Sequence, residues 1–214
     1  MSTLPTRIEV YVDITSPAAY LAFEPIRALA ERCGLQIIWG PMRTPKRKHF
    51  DLNDNTLPVA QRHQMVRQAY RDSEFERYAR WRELPLTPSE GEVDASMVAA
   101  AITATQAAGI AGRFLSEAFE RYWSGVPNAL SASWVAGYLQ KNSITAMASG
   151  EPALDAADEL GLFDAPAFII DGETFIGRQH LPVIERIARE GAAAVIPPLP
   201  NKETKQDAQA KPER

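Results

Sequence analysis

The sequence of 214 residues contains a single cysteine, Cys33, so no disulfide can form within the chain. Cys33 lies in a run with Leu29, Ala30 and Leu35, whose spacing is typical of the buried face of a helix. We therefore expect a small buried hydrophobe at Cys33 and not a reactive thiol. Chemistry that needs two cysteines of one chain is excluded.

Long apolar runs are also missing. No stretch approaches the roughly 20 apolar residues that cross a bilayer, and residues 1–6 lack the basic-then-apolar order of a signal peptide. We expect a cytoplasmic protein with no membrane partner. His49 and His63 have no partner at metal-ligand spacing, so the sequence predicts no metal site.

An excess of positive charge is absent as well. The formal net charge is −4 and the isoelectric point is near 5.5, whereas binding of nucleic acid needs a concentrated positive surface. We expect no nucleic acid partner. With 45% hydrophobic residues, the chain is long enough to bury one substantial core and to carry an elaboration on it.

The first forty residues predict a strand, a helix and a second strand. Residues 8–14 alternate and include β-branched side chains, which is typical of a strand with one buried face. Ser16 followed by Pro17 fits a helix N-cap with proline at the first helical position, and Gly34 fits the end of that helix. A second strand, 36–39, completes a βαβ unit.

After the second strand, helical patterns replace strand patterns until about residue 142. The first of these helices carries an apolar stripe that we expect first to be a packing face, with a role as an aromatic wall for substrate secondary: Met65, Tyr70, Phe75, Tyr78 and Trp81. Ser131 or Ser133 fits the cap of the fourth of these helices. The strands return after a further short helix. The elements predicted beyond residue 41 are helices over 58–82, 94–108, 111–123, about 131–139 and 152–160, strands over 167–171 and 174–176, and a last helix over 181–189.

This order predicts an α/β protein with a thioredoxin-like fold and an all-helical insertion. Residues 1–40 and 143–196 would form the split thioredoxin-like domain, and residues 41–142 would form the helical insertion. The segment 197–214 is polar and has few large apolar residues, so we expect a disordered tail.

Two segments resemble a known family. Residues 12–22 (VDITSPAAYLA) are similar to the D-x-x-S-P-x-S-Y/W-L signature of 2-hydroxychromene-2-carboxylate isomerases and kappa-class glutathione transferases. Residues 164–177 (DAPAFIIDGETFIG) resemble the G-V/A-P-T-F-x-V-x-G-E-x-F-x-G segment of the same enzymes. The resemblance covers about residues 8–190. It implies that glutathione is the cofactor and that the protein is a homodimer.

Ser16 carries the chemistry that the resemblance implies. In the wider disulfide oxidoreductase family, Cys-x-x-Cys occupies the positions of Ser16 and Ala19, so dithiol exchange is excluded at this motif. A hydroxyl remains at a helix N-terminus, where free amides and the helix dipole favour a thiolate. The resemblance implies a catalytic Ser16 that holds the thiolate of bound glutathione. The alternative is that Ser16 only caps its helix.

The second segment supplies further cofactor contacts in the family. The resemblance implies a cis peptide bond between Ala165 and Pro166, with the backbone of Ala165 facing the ligand. Without the resemblance, we would expect a trans bond at a proline that begins a strand. Relatives commonly have Asp near the γ-glutamyl end of glutathione, where this chain has Arg178 and Gln179. Gln179 offers only dipolar hydrogen bonds, and Arg178 would rather meet a carboxylate.

Four further residues are candidates for substrate binding. Arg43 and Lys46 belong to a basic cluster that would attract an anionic substrate, and a solvated loop is the alternative. Asn55 resembles the Asn of an Asn-x-P segment that lies near the acceptor substrate in relatives. His180 could act as a general acid or base, although an exposed histidine at a helix start is the simpler interpretation.

The resemblance implies a glutathione-dependent isomerase of the 2-hydroxychromene-2-carboxylate type, an activity of aromatic degradation. The thiolate of glutathione would add reversibly to a bicyclic, aromatic-derived carboxylate. Ring opening would free a bond for rotation, and elimination would then release glutathione. A kappa-like transferase acting on an electrophile uses the same site. A non-catalytic thioredoxin-like binding protein is the third interpretation.

Overall fold

The structure is a computed structural model that describes residues 4–45, 58–145 and 149–196. These residues form a four-stranded sheet with the strand order β2-β1-β3-β4. The neighbours β1 and β2 are parallel, whereas β3 runs antiparallel to β1 and to β4. The strands are β1 (Arg7–Val12), β2 (Gln36–Pro41), β3 (Ala167–Ile170) and β4 (Glu173–Ile176).

Helix α1 (Pro17–Cys33) connects the two parallel strands, as the sequence predicts. Ser16 caps its N-terminus, and Gly34 ends it in the left-handed conformation with φ 66°, where a residue with a Cβ would be strained. Strand β1 ends at Val12, two residues before the predicted end, because Asp13 to Thr15 form the turn into α1.

The remaining helices match the predicted ones closely in number and bounds. The fourth insert helix is capped by Ser131, which resolves the choice between Ser131 and Ser133. Two short elements have no counterpart in the sequence prediction, a 3-10 turn over Arg178–His180 and helix α8. The helices after α1 are α2 (Val59–Trp81), α3 (Ala95–Ala107), α4 (Ala111–Trp123), α5 (Ala132–Lys141), α6 (Glu151–Glu159), α7 (Leu181–Glu190) and α8 (Ala192–Val195).

The predicted thioredoxin-like fold is confirmed, with helices α2 to α6 between β2 and β3 in chain order. One buried core joins the sheet to α1, α3, α4, α5 and α7. Its largest fully buried side chains include Ile8, Ile26, Phe114, Phe119 and Phe168. The division into residues 1–40 with 143–196 and an insertion over 41–142 stays a prediction.

Two expectations about burial were wrong. Cys33 is only half-buried, because it lies in the last turn of α1, where the helix leaves the core. The apolar stripe of α2 was expected to be a packing face, yet Tyr70 is 60% exposed and Trp81 is 78% exposed. Met65 and Phe75 on the same helix are buried. The predicted tail, 197–214, lies outside the described residues.

Membrane-spanning helices were not expected from the sequence. In the described part of the chain, every helix is too short or too polar to cross a lipid bilayer.

Candidate functional site

The hydroxyl of Ser16 lies between the first turn of α1 and the loop before β3. Its oxygen accepts a hydrogen bond from the amide of Ala19 at 3.4 Å, which is the N-cap contact. The same hydroxyl donates to the carbonyl oxygen of Ala165 at 3.2 Å. Ser16 is only 4% exposed. The side chain that would hold a thiolate is therefore also the link between helix α1 and the β3 loop.

The loop that Ser16 contacts contains a cis peptide bond between Ala165 and Pro166, as the resemblance implies. The amide of Ala165 donates to its neighbour Asp164 at 3.0 Å. The carbonyl of Pro166 accepts from the amide of Gly177 at 2.8 Å. The loop is thus tied on one side to the head of α1 and on the other to the turn that carries residue 178.

Arg178 and Gln179, both predicted to bind the cofactor, point in different directions. The Arg178 guanidinium donates to Glu74 of α2 at 3.0 Å and lies 3.7 Å from the ring centroid of Tyr78. Arg178 thus meets a carboxylate, but one of this chain. The Gln179 side chain is exposed, and its amide donates to the carbonyl of Ile176 at 3.1 Å. That amide is therefore engaged by its own turn.

Arg178 and Gln179 border a first cavity of about 650 Å³ between α1, α2 and the β3 loop. We call it the arginine cavity, because three arginines but only two carboxylates line it. Aromatic side chains from α2 complete its wall. Its lining includes Ala18, Arg71, Glu74, Phe75, Tyr78, Trp81, Arg82, Phe163, Asp164, Ala165, Arg178 and Gln179. The excess of positive charge suits an anionic ligand that extends from the head of α1.

A structural role for Arg82 was missed in the sequence. Pro25 lies inside α1 and has no amide hydrogen, so it cannot donate to the carbonyl of Leu21 four residues earlier. Arg82, at the end of α2, donates to that carbonyl at 2.6 Å. The interior proline was the available signal, because it marks a carbonyl that needs another donor. The contact fixes α2 against α1 beside the arginine cavity.

Asp13 belongs to the first motif, but the sequence did not indicate its structural role. One carboxylate oxygen accepts from the amide and hydroxyl of Thr15 at 2.8 and 2.7 Å. The other accepts from the amide of Thr44 at 3.0 Å and from the Thr44 hydroxyl. A single carboxylate thus fixes the turn before α1 to the segment after β2. This arrangement fixes the turn that leads directly into Ser16.

A second cavity, of about 700 Å³, lies beyond the ends of β1 and β2. Asp13, Arg43 and Tyr122 are part of its lining. Burial, and then the negative charge of Asp13, raise the pKa of the Tyr122 phenol, so this group stays protonated at neutral pH. Arg43 is exposed and donates to Glu151 at 2.9 Å. We call this space the carboxylate cavity, since Glu92 and Asp158 also line it.

The four predicted substrate-binding residues are not gathered at one place. Arg43 borders the carboxylate cavity, and Lys46 and Asn55 lie outside the described residues. His180 is half-buried at the start of α7, where its ring centroid lies 5.6 Å from that of Phe175. Neither of the two cavities has His180 in its lining. Substrate binding by these residues stays a prediction.

Comparison with known proteins defines the class to which this fold and site belong. Residues 7–188 match the family model of the DsbA-like thioredoxin domain. The chain therefore belongs to the DsbA-like thioredoxin domain family. Among curated proteins, none is similar enough in sequence to count as a relative.

Solved structures with the same fold include an isomerase and an oxidoreductase. One is a 2-hydroxychromene-2-carboxylate isomerase, with 19% identity and a TM-score of 0.58 over 88% of this chain and 98% of that one. Another is a probable DsbA oxidoreductase from Streptomyces coelicolor, with 19% identity and a TM-score of 0.52 over 92% of both chains. At these identities the likeness shows the fold.

Proposed function

We propose that this protein is a glutathione-dependent isomerase of the 2-hydroxychromene-2-carboxylate type. The observation that carries the proposal is Ser16, which places a hydroxyl, not a thiol, at the N-cap of α1 against the cis Ala165–Pro166 loop. Dithiol chemistry is impossible at this motif, since the other motif position is Ala19. The thiol must then come from a ligand.

The groups around the arginine cavity suit glutathione. The amide of Ala18, in the first turn of α1, has no acceptor within the helix, and Ala18 lines the cavity. This amide and the Ser16 hydroxyl lie at the positive end of the helix dipole, which favours a bound thiolate. Arg71, Arg82 and Arg178 supply positive charge for the two carboxylates of the ligand.

Bound glutathione would supply a thiolate nucleophile that adds reversibly to the conjugated substrate and is released with the product. The chain's own contribution is to hold that sulfur. Ser16 would rotate its hydroxyl hydrogen from the carbonyl of Ala165 toward the sulfur, while its oxygen keeps the contact with the Ala19 amide. Ser16 is buried, and the low local dielectric of a buried site strengthens such a hydrogen bond.

One observation favours a second candidate, a non-catalytic thioredoxin-like binding protein. The Ser16 hydroxyl and the Ala165 carbonyl already satisfy each other, and the Ala165 amide donates to Asp164. A site whose polar groups are satisfied internally can hold the fold together with no ligand. A kappa-like transferase would use the same groups as the isomerase, so only the identity of the product distinguishes those two activities.

The experiment combines the protein, glutathione and 2-hydroxychromene-2-carboxylate and follows the absorbance change of ring opening. We expect conversion only with glutathione, and no net consumption of glutathione. Ser16→Ala should lower the rate by at least about 100-fold, since a donor to a developing or bound anion is worth that much in comparable sites. The free energy of unfolding should fall by only about 1 kcal/mol from the lost cap.

Ser131→Ala is the matched control, because Ser131 caps α5 in the same way and accepts from the amide of Trp134. Its cost in stability should be similar, with the rate unchanged. No glutathione-dependent conversion by the unmodified protein would reject the isomerase. Equal rates for the two variants would reduce Ser16 to a helix cap, and a glutathione conjugate as the final product would favour the transferase.

A further inference from the structure

The segment that carries Ser16 is held on both sides by one side chain of helix α4, Trp123. Before Ser16, the indole Nε1 of Trp123 donates to the carbonyl oxygen of Ile14 at 3.0 Å. After Ser16, the Trp123 ring stacks on the ring of Tyr20, with the ring centroids 5.6 Å apart and the planes 9° from parallel. Trp123 therefore contacts the chain two residues before the hydroxyl and four residues after it.

All three residues of this contact are buried. The exposed fractions are 2% for Ile14, 5% for Trp123 and 8% for Tyr20. A buried carbonyl needs a donor, and the Trp123 indole supplies one to Ile14. Without this donor an unsatisfied acceptor would be left in the core, so the turn that contains Ile14 would have to move to find another partner.

That turn fixes where the Ser16 hydroxyl lies. The amide of Ser16 donates to the carbonyl of Asp13 at 3.0 Å, which closes a four-residue turn over 13–16 with Ile14 at one of its two central positions. The hydrogen bond from Trp123 fixes the plane of the peptide that follows Ile14. A rotation of that peptide would displace the Ser16 hydroxyl, because only one residue separates Ile14 from Ser16.

Trp123 is itself firmly held. It is the last residue of α4, and its carbonyl oxygen accepts from the amide of Thr87 at 2.8 Å. Its side chain belongs to the buried core that joins α4 to the sheet. The indole can therefore restrain the turn before α1 and does not simply follow the turn when it moves.

We infer that Trp123 is a positioning residue for the proposed reaction, which holds the Ser16 hydroxyl where a bound sulfur would meet it. Accurate placement matters, because a hydrogen bond weakens steeply as its distance and angle depart from the preferred values. This inference rests on the proposed function. It also gives helix α4 a part in catalysis, although α4 lies far from Ser16 in the sequence.

The test measures the charge state of glutathione bound to the full chain. Ultraviolet difference absorbance at several pH values reports the ratio of thiolate to thiol, which does not depend on turnover. Ser16→Ala removes the hydroxyl and should lower this ratio about 10-fold to 100-fold, the range for a hydrogen bond to a charged group. Trp123→Phe keeps an aromatic ring and should lower the ratio about 3-fold to 10-fold, since a displaced hydrogen bond retains part of its strength.

A double-mutant cycle shows whether Trp123 acts through Ser16. In a Ser16→Ala background there is no hydroxyl to position, so Trp123→Phe should leave the ratio unchanged. Trp134→Phe is the matched control, because the Trp134 ring stacks on Phe114 in the first turn of α4, whereas Trp123 ends this helix. The control should leave the ratio unchanged in both backgrounds.

Tyr20→Leu is a second variant, which keeps the inference testable if Trp123→Phe folds poorly. It removes the ring on which Trp123 stacks and keeps the indole hydrogen bond. We expect a loss of thiolate of the same kind as in Trp123→Phe, but smaller.

Two results would overturn the inference and leave the proposed function standing. One is an unchanged ratio in Trp123→Phe and Tyr20→Leu together with a loss in Ser16→Ala. The other is an equal loss from Trp123→Phe with and without the Ser16 hydroxyl, which would show that the indole supports the fold and not the hydroxyl. If the unmodified protein binds no glutathione, or if Ser16→Ala leaves the ratio unchanged, the proposed role of Ser16 fails and the inference fails with it.

Discussion

Helices α1 and α2 border the same cavity but are held very differently. Eight of the 17 residues of α1 are buried, and it has a side-chain cap at Ser16 and a glycine end at Gly34. Only three of the 23 residues of α2 are buried, and no side chain caps its N-terminus at Pro58. The core therefore fixes α1, whereas α2 depends on a few contacts with its neighbours.

The two helices therefore support the two sides of the site with different rigidity. The group proposed to hold the sulfur lies on the well-packed helix, where a small displacement would be costly. Two side chains that line the other side of the arginine cavity, Glu74 and Tyr78, lie on the weakly packed helix α2. Rigid support for the reacting group and adaptable support for the rest of a ligand are consistent with a catalytic site.

The largest effect should come from truncating a buried aromatic side chain on each helix. Phe23 of α1 is 4% exposed and packs against Trp39 and Phe119, so Phe23→Ala should cost about 3–5 kcal/mol of the free energy of unfolding. Phe75 of α2 is 6% exposed in a small cluster with Leu21 and Ala79. Because so small a cluster can collapse around the missing ring, Phe75→Ala should cost only the lost burial, about 1.5–3 kcal/mol. Urea denaturation measures both.

Amide hydrogen exchange sharpens the same comparison. Phe75→Ala should speed exchange in α2 alone, because that helix can open without the core. Phe23→Ala should speed exchange throughout the sheet and α1. Equal costs for the two variants, or exchange that changes everywhere in both, would show that α2 is as firmly part of the core as α1.

A smaller effect is expected at the contact between the two helices. Arg82→Ala should cost about 1–2 kcal/mol, since the carbonyl of Leu21 loses its donor. In a Pro25→Ala background the new amide of residue 25 can donate to that carbonyl, so the cost of Arg82→Ala should fall by about 1 kcal/mol. A double-mutant cycle by urea denaturation measures this coupling.

Arg80→Ala is the control for the cycle, because Arg80 is exposed on the same helix. Its effect should be small and the same in both backgrounds. Strict additivity of Arg82→Ala and Pro25→Ala would contradict the idea that Arg82 replaces the missing amide.

The smallest effect should come from the far end of α1. Glu185 of α7 accepts from Arg32 and Arg189, and these hydrogen bonds lower the pKa of its carboxyl from the ordinary 4.5. A carboxyl whose pKa is lower in the folded state stabilises the fold at pH values above its pKa in the unfolded state. This contribution is lost as the pH falls through its pKa in the folded state. Glu185→Gln should therefore cost less than about 1 kcal/mol at pH 7 and nothing in acid.

Unfolding at several pH values and salt concentrations checks this prediction. High salt should reduce the difference between Glu185→Gln and the unmodified protein. Glu24→Gln should cost less still, because its partner Arg27 lies one turn away on the same helix. A difference that grows on acidification would have the wrong sign and would reject the assignment.

Local signals predicted most elements of the fold within about two residues. The Ser16 cap, the Gly34 end and the alternation of β1 depend on near neighbours in the chain, so the sequence contains them. The exposure of Tyr70 and Trp81 was not predictable, since a helical stripe of apolar residues does not reveal whether another element covers it. The cis bond at Pro166 came from resemblance and not from any local signal.

The sequence alone determined that two-cysteine chemistry is impossible, that Ser16 begins the first helix and that strands enclose a block of helices. Each of these depends on residue identity or on short-range order. Only the tertiary structure brought Ser16 to Ala165, Arg82 to Leu21 and Arg178 to Glu74, pairs separated by 149, 61 and 104 positions. Such pairs depend on how distant elements pack, and side chains that meet across a cavity leave no periodic pattern in the chain.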